Sequence, residues 1–327
     1  MVDFLSGSSG KSRSRMSHVA RFGLCAAFLF LLAAVTFLVR STHGVRALPT
    51  SDGTRNCGSA ATGRASSMRI GVALGGSITP ARLDSFADAA RISPSIVEVY
   101  RQFGRPFSRR LACVITKRGA LLLIDLDPTH QAVGSIASGR YDTYLTAYAD
   151  EVLRFKLPVA ISFGHEMNGD WYSWGWKHAQ AAEFIAAWRH IHSVFAGVGA
   201  NNVIWVWSVS PKGRRSSAQF FWWPGASYVT WVGLDSYYRE PRSRFNTIVG
   251  SLIHIRSFTH KPVLITETAV APGRNAAEQV ASLFMGVATH PGVLGFVWFD
   301  QDNTEPWSLQ GDPAAIKVFR REVRAFG

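Results

Sequence analysis

Residues 158–175 read PVAISFGHEMNGDWYSWG, an apolar run that gives way abruptly to polar and aromatic side chains. The run at 158–163 has the length and β-branched content of a buried strand, and Glu166 follows it closely. A second run, PVLITET at 262–268, ends in the same way and carries Glu267 in the corresponding position. Proteins with parallel sheets place their chemistry at the carboxyl ends of the strands. The sequence therefore predicts an α/β fold with two carboxylates at one edge of the sheet.

Apolar runs of strand length recur eight times, and segments with helical periodicity lie between them. Strand alternating with helix predicts a parallel sheet, and eight repeats over about 260 residues predict a closed (β/α)8 TIM barrel. The predicted strands are residues 69–74, 96–100, 120–126, 158–163, 203–209, 229–234, 262–266 and 293–299. The clearest predicted helices are residues 141–155, 181–195, 247–258 and 276–288. An open, doubly wound sheet is the alternative, but Gly71, Gly75 and Gly76 do not form its GxGxxG turn.

The N-terminal segment has the pattern of a single-pass membrane anchor. Four basic residues precede an uncharged, almost wholly apolar run at 22–39. As a helix this run spans about 27 Å, close to the ~30 Å hydrocarbon thickness of a bilayer. The positive flank predicts that the N-terminus is cytoplasmic and that everything after Arg40 lies outside the cell. We expect a basic tail (1–21), a signal anchor (22–40), a flexible linker (41–66) and a catalytic domain (67–327).

A cleaved signal peptide is the alternative, with the cut near Val45-Arg46-Ala47, and it would release a secreted protein. Either outcome exposes the chain to an oxidising compartment, where Cys57 and Cys113 can pair. Cys25 lies within the apolar run. The sequence leaves the pairing open.

The net charge of +13 divides between the N-terminal segment and the predicted barrel. About half of it lies before residue 67, and the rest is spread without a dense basic run or zinc-finger spacing. This pattern argues against nucleic-acid binding and fits attraction to an acidic cell surface.

Two carboxylates that face each other across a barrel mouth are what retaining glycoside hydrolysis requires. Glu166 would protonate the leaving oxygen, and Glu267 would attack the anomeric carbon. Trp171 and Trp174 in the loop after Glu166, and Trp298 near the end of the eighth strand, offer flat rings for sugars. In WVGLDSYY at 231–238, the hydroxyl of Tyr237 or Tyr238 is placed to hydrogen-bond a carboxylate nucleophile.

Other chemistries fit the sequence poorly. His165-Glu166 begins like the zinc motif HExxH, but Gly169 occupies the position of the second histidine. No serine lies in a GxSxG elbow, and the ten histidines form no ligand cluster. The sequence implies no metal and no organic cofactor.

HEMNGDWYSWG, together with ITETA, GLDSYY and FVWFD, resembles glycoside hydrolase family 26, and the resemblance covers most of residues 69–310. It implies a (β/α)8-barrel enzyme that cleaves β-linked polysaccharides, mostly β-mannans, with retention. It implies these roles: acid/base for Glu166, nucleophile for Glu267, a contact to the nucleophile for Tyr237, a sugar platform for Trp298, a sugar contact for His165, and aromatic subsites for Trp171 and Trp174.

Two departures limit what the resemblance implies about the substrate. Many members carry an arginine shortly before the His-Glu pair, where this chain has Ser162 and Phe163. The mannanase branch also tends to carry a Trp-His pair after the third strand, where residues 123–130 read LIDLDPTH. Asp127 and His130 are the candidates to substitute for it. The fold and the chemistry carry over better than the mannan preference.

We therefore expect a monomeric retaining endo-β-glycosidase on the extracellular face of the membrane. Its substrate would be a β-mannan, a related β-glucan or xylan, or an exopolysaccharide that the cell itself exports. The alternative is a catalytically weak, membrane-tethered glycan-binding protein of the same fold.

Overall fold

The computed structural model describes Cys57 and residues 68–211, 216–302 and 305–327. The predicted anchor at 22–40, the basic tail and most of the linker lie outside these residues. Within the described part, no helix is both long and apolar enough to cross a bilayer.

Eight parallel strands form a closed barrel in chain order, and the last strand pairs with the first. The strands are β1 (Arg69–Leu74), β2 (Ile96–Gln102), β3 (Leu121–Asp127), β4 (Val159–Phe163), β5 (Val203–Val209), β6 (Trp231–Asp235), β7 (Val263–Thr268) and β8 (Val293–Asp300). The helices are α1 (Pro80–Ala90), α2 (Arg109–Thr116), α3 (Val133–Ala137), α4 (Asp142–Phe155), α5 (Ala181–Val198), α6 (Asn246–Arg256), α7 (Ala276–Thr289) and α8 (Pro313–Phe326). The predicted barrel is confirmed, and the strand bounds differ from the prediction by at most two residues.

The barrel strands are buried on both faces, which explains why they read as nearly continuous apolar runs. Their outer face packs against the helices, as where Phe296 of β8 meets Phe284 of α7 and Phe319 of α8. The inner face is more polar near the mouth, where Ser162 and Ser208 hydrogen-bond across two strands. This polar inner layer leads to the mouth of the barrel, where the candidate functional groups lie.

Gly233 of β6 shows how tightly this inner layer is packed. A Cβ atom at this position would lie 2.2 Å from Ser208 Oγ and 2.6 Å from Thr266 Oγ1. Only glycine lets the neighbouring strands β5 and β7 bring these hydroxyls so close to β6.

A disulfide joins Cys57 to Cys113 on α2, with a Cα–Cα distance of 4.6 Å. Thr116 Oγ1 adds a hydrogen bond of 2.8 Å to the Cys57 carbonyl oxygen. The pairing that the sequence left open is therefore made, and it attaches a residue from before the barrel to an outer helix.

Candidate active site

Glu166 lies in a tight turn directly after β4. Both Gly164 and Glu166 have positive φ, at 56° and 51°, a conformation that costs a non-glycine residue energy. Neighbouring strands hold the turn, because Gly164 N donates to Leu126 O at 3.1 Å and Glu166 N donates to Ser208 O at 2.9 Å. The strained backbone thus directs the Glu166 carboxyl from β4 into the mouth of the barrel.

The Glu166 carboxyl has the environment of a proton donor. Burial, followed by the charge of nearby Glu267, raises its pKa to about 7. Trp171 Nε1 donates to Glu166 Oε2 at 2.8 Å and orients the carboxyl group. Trp171 is 39% exposed, so it lies at the surface beside Glu166.

Glu267 lies in β7, beside Asp235 of β6 in the parallel register. Tyr237 donates a hydrogen bond to Glu267 Oε2, and Tyr100 donates one to Oε1 at 2.6 Å. Two phenol donors stabilise the ionised form of a carboxylate. Tyr237 therefore contacts Glu267 directly, whereas Tyr238 is buried with a hydroxyl that has no hydrogen-bond partner among the described residues.

His165 is buried, and both ring nitrogens are occupied by protein groups. Nδ1 lies 2.9 Å from Asp127 Oδ1, and Nε2 lies 3.0 Å from the Tyr172 hydroxyl. Burial acts to lower the pKa of His165, but the Asp127 carboxylate and its neighbours outweigh it and hold the pKa well above its usual value. Nε2 is also 3.9 Å from Glu267 Oε1. His165 thus links Asp127 to Tyr172 within the site. A sugar contact through either nitrogen would have to replace one of these hydrogen bonds.

Two tryptophans predicted to bind sugar are buried and do not line the cleft. Trp174 is 3% exposed, its ring stacks on Tyr172 at 4.4 Å, and its Nε1 donates to the His165 carbonyl oxygen. Trp298 is 1% exposed and packs against Phe319 of α8 at 5.5 Å. Neither ring has a face open to the cleft, so the structure does not place Trp174 as an aromatic subsite or Trp298 as a sugar platform.

The sequence did not predict the aromatic groups around Tyr237, the residue that donates to Glu267. Phe299 lies 5.6 Å from the Tyr237 ring, and Trp307, in the loop after β8, lies 5.0 Å from it. Successive strand residues face opposite sides, so Phe299 points inward because Trp298 points outward. Nothing in the string FVWFD indicates which of the two faces the barrel interior.

Two further carboxyl groups lie beneath Glu267. Glu98 and Asp125 are each 1% exposed, and no donor in the described part of the chain reaches any of their four oxygens. One oxygen from each lies within 4.8 Å of a Glu267 oxygen and of the other, so these three are the described residues best placed to hold a cation. Burial, with the charge of Asp125, holds the pKa of Glu98 well above its usual range. A proton on Glu98 therefore supplies the donor that Asp125 lacks.

Asp125 shares this environment, since burial raises its pKa to about 6. The sequence signal for the pair was available: each acid interrupts an apolar strand, in IVEVY and in LLLIDLD. A charged residue inside a buried strand is rarely tolerated without a partner.

The geometry brings together two carboxyl groups from the ends of strands four and seven, Glu166 with a raised pKa and Glu267 with two phenol donors. Trp171 borders the first, and Tyr100 and Tyr237 border the second, with Phe299 against the Tyr237 ring. Such a pair can protonate one side of a bond while attacking the other.

Comparison with known proteins agrees with this site. Residues 124–286, which contain both Glu166 and Glu267, match the model of glycosyl hydrolase family 26. Endoglucanase H of Acetivibrio thermocellus is 25% identical over 80% of this chain and 31% of its own length. Mannan endo-1,4-beta-mannosidase A and B of Caldalkalibacillus mannanilyticus is 40% identical over 29% of this chain and 19% of its own length. The chain thus spans less than a third of either curated relative.

A solved structure has the same architecture at low identity. The GH26 β-mannanase BoMan26A of Bacteroides ovatus superposes with a TM-score of 0.61 and 16% identity, over 80% of this chain and 89% of that one. At this identity the likeness supports the barrel fold alone. The family match, the barrel and the carboxylate pair at strands four and seven identify the chain as a member of glycosyl hydrolase family 26.

Proposed function

We propose that the barrel is a retaining endo-β-glycosidase that hydrolyses a β-linked polysaccharide. The observation that carries the proposal is the pairing of Glu166, whose pKa is raised to about 7, with Glu267, which accepts hydrogen bonds from two tyrosines. The names of the relatives, which include an endoglucanase and mannan endo-1,4-β-mannosidases, support a β-mannan or a related β-glycan as the substrate.

The mechanism has two steps. Glu166 gives its proton to the glycosidic oxygen while Glu267 attacks the anomeric carbon, so the leaving chain departs and a glycosyl-enzyme ester forms. Glu166, now ionised, then takes a proton from water, and the hydroxide oxygen displaces Glu267. The second inversion restores the original anomeric configuration.

Product analysis tests the reaction class. The wild-type protein would be incubated with mannan, mixed-linkage glucan and β-1,3-xylan, and the first product would be read by proton NMR. We expect the β-anomer to appear first, whereas an α-anomer would contradict retention. Binding without reducing-end release across the whole panel would favour the glycan-binding alternative.

Two variants separate the roles of the carboxylates. Glu267→Ala should abolish turnover while the protein stays folded, because no nucleophile remains. Glu166→Ala should lose activity on polysaccharide but still release an activated aryl leaving group, which needs no proton. Glu151→Gln, at a partly exposed acid on α4 that pairs with Arg154, is the control and should hydrolyse polysaccharide normally. Wild-type hydrolysis by Glu267→Ala would overturn the assignment.

We also propose that the barrel acts outside the cell, attached through the apolar run at 22–39. The disulfide between Cys57 and Cys113 supports an oxidising compartment. Fractionation of cells with an antibody against the barrel tests this, and recovery in the cytosol would contradict it.

A further inference from the structure

Arg239 projects from the loop after β6 at the rim of the candidate site. The side chain is exposed, and its guanidinium carbon lies 5.1 Å from the centre of the Tyr237 ring and 5.4 Å from that of Trp307. Tyr237 is also the residue that donates to Glu267. Two rings therefore hold a cation beside the nucleophile.

No carboxylate neutralises this cation within the described part of the chain, where Arg239 forms neither an ion pair nor a side-chain hydrogen bond. Other cations close to this face do find acids: Arg244 in the same loop pairs with Glu278, and Lys177 pairs with Asp170 at 2.6 Å. The N–H donors of Arg239 are thus available for a ligand. The ring contacts already restrict the side chain, so binding would cost less conformational entropy.

In the unliganded site, the positive charge of Arg239 opposes protonation of Glu166. It acts to lower the pKa of Glu166, which must be protonated to serve as the acid. The titratable and charged groups that act on Glu166 are Glu267, Asp235, His165, Tyr172, Tyr237 and Arg239. A ligand anion on Arg239 would cancel its effect and favour the protonated acid when substrate is bound.

We propose that Arg239 binds a carboxylate of the substrate, so that the polysaccharide is an acidic β-glycan containing uronic acid residues. A planar carboxylate matches the fork of guanidinium donors, which a neutral sugar hydroxyl does not. From Met68 onward the chain has seven more basic than acidic side chains, which favours the approach of an anionic polymer. This inference rests on the proposed glycosidase function and narrows its substrate.

The test compares one acidic β-glycan with the same polymer after its carboxyl groups have been reduced to alcohols. The two substrates share backbone and linkage and differ only in charge. Wild-type protein should show a KM about tenfold lower for the acidic form, and the advantage should shrink as salt increases. Arg239→Gln should remove the advantage, while Arg242→Gln, an exposed arginine of the same loop, should keep it.

The pH profile of kcat provides a second readout. In the wild type, the alkaline limb should lie at higher pH with the acidic glycan than with the reduced one, because only the former neutralises Arg239. In Arg239→Gln the two limbs should coincide. Equal KM values for the two substrates in the wild type, or an equal rise of both KM values in Arg239→Gln, would overturn the inference.

A binding measurement separates failure of this inference from failure of the proposed function. Calorimetry with acidic and reduced oligosaccharides would be performed on Glu267→Gln, which cannot turn them over. A preference for the acidic ligand without hydrolysis by the wild type would contradict only the glycosidase proposal. Hydrolysis of neutral and acidic glycans without charge preference would contradict only the acidic substrate.

Discussion

At the residue scale, the burial that raises the pKa of Glu166 also destabilises the protein. Its pKa is about 7 in the folded state against an ordinary value of 4.5. Below pH 4.5 the group is neutral in both states and costs nothing. As pH rises through the interval up to 7, the unfolded chain releases the proton before the folded one does, so stability is lost.

Glu166→Gln should remove this penalty, because an amide has no proton to lose. We expect the variant to match the wild type near pH 4 and to exceed its free energy of unfolding by about 3 kcal/mol near pH 8. Urea unfolding at the two pH values measures the difference. A constant difference between variant and wild type at both values would contradict the raised pKa.

Glu98 and Asp125 show how a buried acid pair is tolerated. A proton on Glu98 lets it donate to Asp125, and the Gln side chain offers the same donor without a charge. We expect Glu98→Gln to be close to wild type in stability at neutral pH. Glu98→Ala should lose about 3 kcal/mol, because Asp125 is left buried without a donor above a cavity. Urea unfolding measures both, and a large loss in Glu98→Gln would show that Glu98 is ionised instead.

At the element scale, the turn after β4 determines where Glu166 points. A Cβ on Gly164 would lie 3.0 Å from the Phe184 ring and 3.1 Å from Trp174, at a φ of +56°. Gly164→Ala should therefore lower the free energy of unfolding by about 2 kcal/mol and reduce kcat by displacing the turn.

Gly250 on α6 is the matched control for this substitution. Apart from the backbone of its own helix, no atom of the described residues lies within 4 Å of the position that its Cβ would occupy. Alanine is the better helix former, so Gly250→Ala should raise stability by up to about 1 kcal/mol and leave kcat unchanged. Thermal unfolding and kinetic measurements check both variants. Unchanged stability and kcat in Gly164→Ala would show that the turn does not require a positive φ at this position.

Element boundaries followed from the sequence because the barrel buries both faces of every strand. Runs such as VIWVWSV at Val203–Val209 contrast sharply with the polar segments around them. The same burial removes the period-two alternation that would assign side chains to a face. The sequence therefore could not show that Phe299, rather than Trp298 of β8, faces Tyr237.

At the scale of the whole molecule, the disulfide attaches the segment before β1 to the barrel. Cys57 and Cys113 are 56 residues apart, so the bond restricts a long loop of the unfolded chain. We expect the double variant Cys57→Ser, Cys113→Ser to lose about 2–4 kcal/mol of unfolding free energy and to keep its kcat. Reductant should lower the stability of the wild type by a similar amount and leave the double variant unaffected; equal effects on both would argue against the bond.

The sequence alone determined the barrel, its strand order and the placement of Glu166 and Glu267 at strand ends. These follow from local hydrophobic runs and from the rule that parallel strands present their carboxyl ends at one face. Tertiary structure alone decided which side chains meet there. The Tyr100 hydroxyl on Glu267, the Asp127 contact to His165, the Glu98–Asp125 pair and Arg239 over two rings all join residues from different strands or loops. Their pairing depends on barrel closure and on which face each side chain takes, and no local pattern encodes either property.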